Sequence, residues 1–430
     1  MKREKPSKIV IASCCIMGAG QLLSKQWIKG LLYLFIFAAY VTYMVTSGMN
    51  DIKGFFTLGT VRGDAWLGIQ GDDSIMMMLR GIFAFLLTAM FVALHISNVK
   101  DAKGLAKRLE VGKELPGFLQ ATQIFLDKKF YIVALLLPVI GVLIFNVLPI
   151  IFMILISFTN YGGDIVPPEL VDWIGLGNFE KILSLTEIKD TFFRILSWNF
   201  VWAFLATAVN YFGGLGLALL LNKKCVKHKG FWRMFPILAY AVPGFITMLA
   251  FKFMFSYGGP INYYITMSGH SAIGFLDIDA GWTARIIGIA VNAWITIPTS
   301  MLLATGILSN MNTDLYEAAS IDGASKWKQF IKITLPFVVF STTPVLITNF
   351  IGNFNNFGVF YFLRGGLYND GYFLASDTDL LINWLYNLSI DNNYYGIGAA
   401  ISLIIFIITS VFSLLVYVRS DAYKKEDTYR

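Results

Sequence analysis

The chain has 430 residues, of which 56% are hydrophobic and only 14% charged, with a net charge of +7, whereas an ordinary soluble domain carries roughly 25% charged residues. That balance excludes a soluble globular domain and identifies an integral membrane protein with a lipid bilayer for solvent and no nucleic-acid partner. Cys14, Cys15 and Cys225 form neither a disulfide framework nor a metal-ligand spacing, so no metal or cofactor is expected.

The first stretch after the basic N-terminus imitates a lipoprotein box at Ile11-Ala12-Ser13-Cys14. Only Ile9 and Val10 separate the box from Lys8, too few for the roughly 7 to 15 apolar residues of a signal peptide. Residues 9–28 are therefore expected to lie on or dip into the inner membrane surface as an amphipathic segment. Eight apolar runs follow, near 30–47, 79–97, 131–157, 196–222, 234–256, 286–308, 337–363 and 396–418, each near the roughly 20 residues needed to cross a bilayer. They lack the alternation of barrel strands, and lipid leaves no partner for an unpaired peptide group, so the fold predicted is all-α and polytopic with eight transmembrane helices. The longer runs are expected to tilt, or to break at a proline such as Pro243 or Pro298.

With the N-terminus inside, the cytoplasmic segments hold 25 of the 34 Lys and Arg residues and the outer ones eight, with Lys252 left to snorkel from the fifth helix. This asymmetry places both termini in the cytoplasm. Helices three, four, six, seven and eight contain no Asp, Glu or His, the groups on which ion-driven carriers rely. Tyr211-Phe212-Gly213-Gly214-Leu215-Gly216 sits in an apolar helix without the lysine of a phosphate loop, and its glycines suit close helix packing. The energy source is neither an ion crossing this chain nor a nucleotide bound to it.

Between the sixth and seventh runs stands TDLYEAASIDGASKWKQFIKITLP, residues 313–336. Thr313 or Asp314 is an N-cap candidate, Gly323 suits a left-handed turn, and Ser325 can cap a second short helix through Lys332. Pro336 suits the start of the next membrane helix. Inner connections in compact bundles usually take 2 to 8 residues, so this long, capped segment reads as a docking element facing the cytoplasm.

Glu317-Ala318-Ala319, three further residues, Gly323-Ala324 and then Ile333-Thr334-Leu335-Pro336 resemble the EAA loop of binding-protein-dependent ABC importer permeases. By that resemblance, Glu317, Ala318, Ala319, Asp322, Gly323 and Ala324 belong to a coupling loop seated in a cleft of an ATPase subunit. A carboxylate near a helix N-terminus is also locally favourable, so Glu317 has a structural use as well. LAYAVPGF (238–245), VNAWITIP (291–298) and NFIGNFNNFGV (349–359) further resemble the larger permease subunit of maltose/maltodextrin importers. The implied organisation is residues 1–129 with two helices and a basic loop, then a six-helix core over 130–430 that contains the coupling loop. Enteric relatives carry a large insertion after the third helix where this chain has only residues 158–195, which suits a system of Gram-positive type.

Asn292, Thr296 and Thr299 recur at i, i+4, i+7, and Asn349, Asn353 and Asn356 repeat that spacing, so each set is expected on one helix face. Neutral amides and hydroxyls suit an uncharged, polyhydroxylated solute, and an aromatic face such as Tyr240 can lie against sugar C–H surfaces. The same groups could instead bond helix to helix. The resemblance assigns the sugar site to Tyr240, Asn292, Ile295, Thr296, Thr299, Asn349, Asn353 and Asn356. It departs at three positions: Thr296, Thr299 and Asn349 stand where the family has glycine, tyrosine and serine, which puts maltose itself in doubt and leaves a longer maltodextrin or another oligosaccharide open.

The implied mechanism is alternating access, without covalent chemistry in this chain. An extracellular sugar-binding protein would dock on outer loops 158–195, 257–285 and 364–395, the last acidic through Asp370, Asp377, Asp379 and Asp391. Two ATPase subunits would drive the coupling loops of this chain and of a second, homologous permease with which it forms a heterodimer. An ion-coupled sugar carrier would explain the polar stripes but not the coupling loop. A membrane enzyme would need a nucleophile or metal set, and His270, the only outer histidine, has no cluster around it.

Overall fold

The computed structural model describes residues 6–64, 66–111, 115, 117–167, 169–223 and 225–419. The tail from residue 420 onward, whose Lys424, Lys425 and Arg430 are counted above among the cytoplasmic charges, lies outside them. The described residues are helical apart from turns and three isolated bridges, as a chain crossing lipid must be. They form two compact units, Met1–Gly175 and Leu176–Arg430. The division expected at 129/130 was drawn on the family resemblance, and the compact units divide after Gly175.

In the first unit α1 is Pro6–Cys15, α2 Ala19–Leu23, α3 Trp27–Thr57 with a π turn at Met44–Gly48, α4 Ser74–Glu110, and α5 spans 118–156 through a second π turn. α3 and α4 approach closely where Gly81 faces Phe55: a Cβ at Gly81 would stand 2.4 Å from that of Phe55. α1 and α2 pack against the C-terminal part of α4 through a polar seam. Gln21 Nε2 donates to the Asn98 carbonyl (3.3 Å) and to Asp101 (3.1 Å), Asn98 Nδ2 donates to the Ser13 carbonyl (3.2 Å), and Lys29 pairs with Asp101 at 2.6 Å. Ser13, Gln21 and Asn98 are fully buried. The N-terminal segment therefore turns polar groups inward and bonds them to α4, and leaves Ile11, Ile16, Leu23, Trp27 and Ile28 exposed on its outside. α5 presents apolar side chains outward along most of its length, Leu137 and Phe145 among them.

In the second unit α6 is Gly177–Ser184, α7 Thr186–Asn222, α8 Lys229–Ala241, α9 Gly244–Met254, α10 Pro260–Met267, α11 Gly281–Ser309 and α12 Asp314–Ile321. α13 spans 326–354, followed by α14 Gly358–Arg364, α15 Leu381–Tyr386 and α16 Tyr395–Arg419. α7 and α11 form the centre, and their buried Trp198, Trp202, Ile287 and Val291 enclose Phe360 and Leu363 of α14. In a bilayer such contacts hold helices together by van der Waals packing and shape, since lipid tails are as apolar as the side chains they replace.

Among the described residues seven helices are long and apolar enough to cross a membrane, and the bent pair α8 and α9, taken as one span, makes an eighth, the number expected. The pair bends by 87° at Val242 and Pro243, where proline forces its predecessor into extended backbone and offers no N–H to continue the ladder. Pro298 does not break α11: it is buried against neighbouring helices inside a continuous helix, whose packing holds the interrupted turn together. The second short helix after Gly323 is likewise not separate. Lys326–Gln329 runs through a π turn at Phe330–Thr334 directly into Leu335–Phe354, and the wider turn admits Pro336 where an α-helical ladder would require its missing N–H.

Candidate functional site

Three asparagines from the two predicted stripes meet. Asn292 of α11 donates through Nδ2 to Asn353 Oδ1 (3.3 Å), and Asn356 Nδ2 donates to Asn292 Oδ1 (3.3 Å). Asn353 Nδ2 in turn donates to Thr207 Oγ1 of α7 (3.0 Å), while Trp202 Nε1 donates to the Asn353 carbonyl (3.0 Å). Asn292 and Asn353 are buried, and three helices of the second unit thus converge on one neutral, hydrogen-bonding cluster. Each amide can both donate and accept, so a hydroxylated solute could replace one amide partner with another without stranding a charge.

Asn356 departs from the predicted helix face. α13 ends at Phe354, and Asn356 lies in the break before α14, where its Oδ1 also accepts from Val359 N at 3.2 Å. It reaches Asn292 because the chain turns there. Thr299 donates to the Thr296 carbonyl of its own helix at 2.8 Å. Ile295, Thr296 and Asn349 are half-buried and Tyr240 is exposed on α8; the hydrogen bonds joining the three asparagines extend to none of these four. A groove of about 720 Å³ at the N-terminal ends of α7 and α11 includes none of the eight predicted sugar contacts. In this conformation the amides close on one another. Thr207 and Trp202 were missed because the polar spacing on α7 is sparse; Asn199, Thr207 and Asn210, at i, i+8 and i+11, were the available signal.

The segment predicted to dock holds Glu317, Ala318 and Ala319 on α12, none of whose residues is buried. Its N-terminus is capped by neither Thr313 nor Asp314; Asn312 Oδ1 accepts the Asp314 N–H at 2.9 Å. Asp322 follows the helix and Gly323 takes φ +72°. The bonds Gly323 N to Ser320 O (3.1 Å) and Ala324 N to Ala319 O (2.9 Å) are those of a Schellman turn. Ser325 caps the following helix as expected, accepting from Lys328 N at 3.3 Å.

Loops 257–285 and 364–395 are fastened together by Arg364, whose side chain is completely buried and pairs with Asp377 at 2.9 Å. The acidity read from the second loop is only partly displayed: Asp370 and Asp391 are exposed, Asp377 is ion-paired and Asp379 is buried. Burial pushes the Asp379 carboxyl up to about 6 from 3.8, against bonds from Ser376 N, Ser376 Oγ and Asn387 Nδ2 and the nearby Arg364 charge. Because the folded value is raised, protonation stabilises the fold; that contribution is complete below pH 3.8 and lost as pH rises through about 6. The thermal midpoint of the purified protein is expected to rise as pH falls from about 7 to 5. Asp379→Asn is expected to flatten this dependence; a variant that tracks the native chain would place the titration elsewhere.

Residues 210–423 match the family described as binding-protein-dependent transport system inner membrane component. The chain is 33% identical over 438 aligned residues to the maltodextrin transport system permease protein MalC of Streptococcus pneumoniae serotype 4, covering 99% of each chain. It is 32% identical to the galactooligosaccharides transport system permease protein GanP of Bacillus subtilis, covering 97% of this chain and 99% of that one. To the maltose/maltodextrin permease MalF of Salmonella typhimurium it is 34% identical, over 60% of this chain and 51% of that protein. Among solved structures, a bacterial ABC transporter involved in import of the acidic polysaccharide alginate matches with a TM-score of 0.56 at 22% identity, over 70% of this chain and 98% of that one.

Proposed function

The chain belongs to the family of binding-protein-dependent transport system inner membrane components, and on that premise we propose that it is the larger permease subunit of an ATP-binding-cassette importer for maltose/maltodextrin-type oligosaccharides. Residues 130–430 form its six-helix core. The carrying observation is the cluster of Asn292, Asn353 and Asn356 with Thr207, which is built from neutral donors and acceptors alone. An uncharged, polyhydroxylated solute matches such a lining and a charged one does not. Tyr240, Ile295, Thr296, Thr299 and Asn349 would complete the path once the helices separate.

The chain itself does no covalent chemistry. Two ATPase subunits grip the exposed segment 313–336 of this chain and its counterpart on a homologous second permease; an extracellular sugar-binding protein docks on the outer loops. Closure of the ATPases opens the cavity outward, and hydrolysis resets it. Both termini are cytoplasmic, and the short loop 158–195 fits a Gram-positive cell. The nearly equal likeness to a galactooligosaccharide permease, together with Thr299 where maltose permeases carry tyrosine, favours a second reading in which another neutral oligosaccharide is carried by the same mechanism.

Uptake of labelled maltose, maltotetraose and a galactooligosaccharide by the reconstituted complex tests both readings. Asn353→Ala is expected to lower uptake by about tenfold or more, since it removes an amide able to exchange its two side-chain bonds for bonds to the solute at roughly 1 kcal/mol each, and to change the ratio between sugar lengths, with sugar binding to the receptor unaltered. Loss of thermal stability with an unchanged ratio would leave the amides as links between helices and retire the sugar site.

A further inference from the structure

We propose that Gln329 is a positioning residue that joins the exposed α12 arm to the long α13 helix as one lever. The inference rests on the reading above that an ATPase subunit grips this segment. The backbone connection between the two arms is only Asp322 to Ser325 and includes Gly323, so it transmits displacement poorly by itself. Side chains brace it instead. Gln329 is 3% exposed and is the one buried residue of the hairpin 314–329, and its Nε2 donates to Ser320 Oγ (3.0 Å) and to the Ala324 carbonyl (3.0 Å). Its Oε1 accepts from Lys326 Nζ at 3.2 Å, a bond within its own helix. A second strut joins Tyr316 on α12 to Thr334 in the π turn, with the hydroxyls 2.8 Å apart.

Both struts link α12 to the stretch that continues as α13, and α13 ends in the asparagine cluster. From Gln329 to Asn353 the rise is roughly 35 Å at 1.5 Å per residue. A push on α12 therefore reaches the cluster through a braced corner. Without Gln329 the arm can pivot about Gly323 while α13 stays still. Both primary-amide hydrogens are used, one across the corner to Ser320 and one to the turn at Ala324, so a carboxylate or an apolar side chain of the same length cannot reproduce the brace.

The test uses the assembled importer in proteoliposomes and compares ATP hydrolysis with uptake of whichever of maltotetraose or galactooligosaccharide the native complex transports. Gln329→Met, which keeps the packing volume, is expected to retain ATPase subunits and hydrolysis within about twofold while sugar carried per ATP falls about five- to tenfold. Tyr316→Phe with Ser320→Ala, which cuts the struts from the α12 side and leaves Gln329 in place, is expected to do the same and covers a failure of the first variant to fold. Lys326→Ala, which removes only the bond within the helix, is expected to leave the ratio unchanged. An unchanged ratio in both bracing variants, or loss of the ATPase subunits from either folded complex, overturns the lever. A native complex that contains no ATPase subunit at all overturns the function proposed above instead.

Discussion

Gly323→Pro is expected to reduce sugar-stimulated ATP hydrolysis and uptake by the assembled importer to background while the chain still inserts in the membrane. At φ +72° the native residue occupies the left-handed region, and a proline ring, held near −65°, cannot enter it. Proline also deletes the bond from Gly323 N to Ser320 O and pushes Asp322 toward extended backbone, which unwinds the end of α12. The corner between the arms must then reform with a different direction. Gly323→Ala separates conformation from bulk: an added Cβ meets nothing within 4 Å, so its cost is only the roughly 1 kcal/mol of a left-handed alanine, and most coupling should survive. Full coupling in the proline variant, measured as hydrolysis stimulated by the loaded receptor, would show that the turn is not part of the transmission.

The sequence made some of these features legible and hid others for physical reasons. Membrane spans could be read because lipid imposes one requirement on every peptide group along about 20 residues, a local property that composition reveals. The break at Pro243 was equally local. Pro298 was misread because whether a proline breaks a helix depends on what packs around it, and that is decided by residues far away in the chain. Ser13 and Gln21 gave no sign of being buried, since their partners Asn98 and Asp101 lie about 80 residues later. In the site, the period of the asparagines was visible, but the end of α13 at Phe354 was not, and neither was Thr207 as the partner of Asn353. A polar stripe announces that a face must be satisfied without saying by what.

Arg364→Ala is expected to loosen the loops that carry the proposed receptor surface by about 3 to 5 kcal/mol, the usual cost of stranding one member of a buried pair. The guanidinium donates to the carbonyls of Leu276 (3.2 Å), Asp277 (2.7 Å) and Ile278 (3.0 Å), and to Asp377 Oδ1 (2.9 Å) and Thr378 Oγ1 (2.8 Å). Alanine removes all five bonds at once; the Ile278 carbonyl keeps its bond from Asn369 Nδ2 (2.9 Å) and Thr378 Oγ1 its contact with Ser376 Oγ (3.1 Å). Arg364→Lys keeps the charge but offers only three donors from one point, so an intermediate loss is expected. Asp377 is 23% exposed at its side chain and can recover some hydration, which favours the lower end of that range. Hydrogen exchange should report faster opening of the backbone around residues 276–278 and 376–379, with the coupling segment unaffected. The titration of Asp379 supplies an independent check. The Arg364 charge holds that carboxyl down against the pull of burial, so its removal should move the pH-dependent rise in stability to higher pH. Unchanged exchange together with an unshifted pH profile would mean that the two loops are held by something other than Arg364.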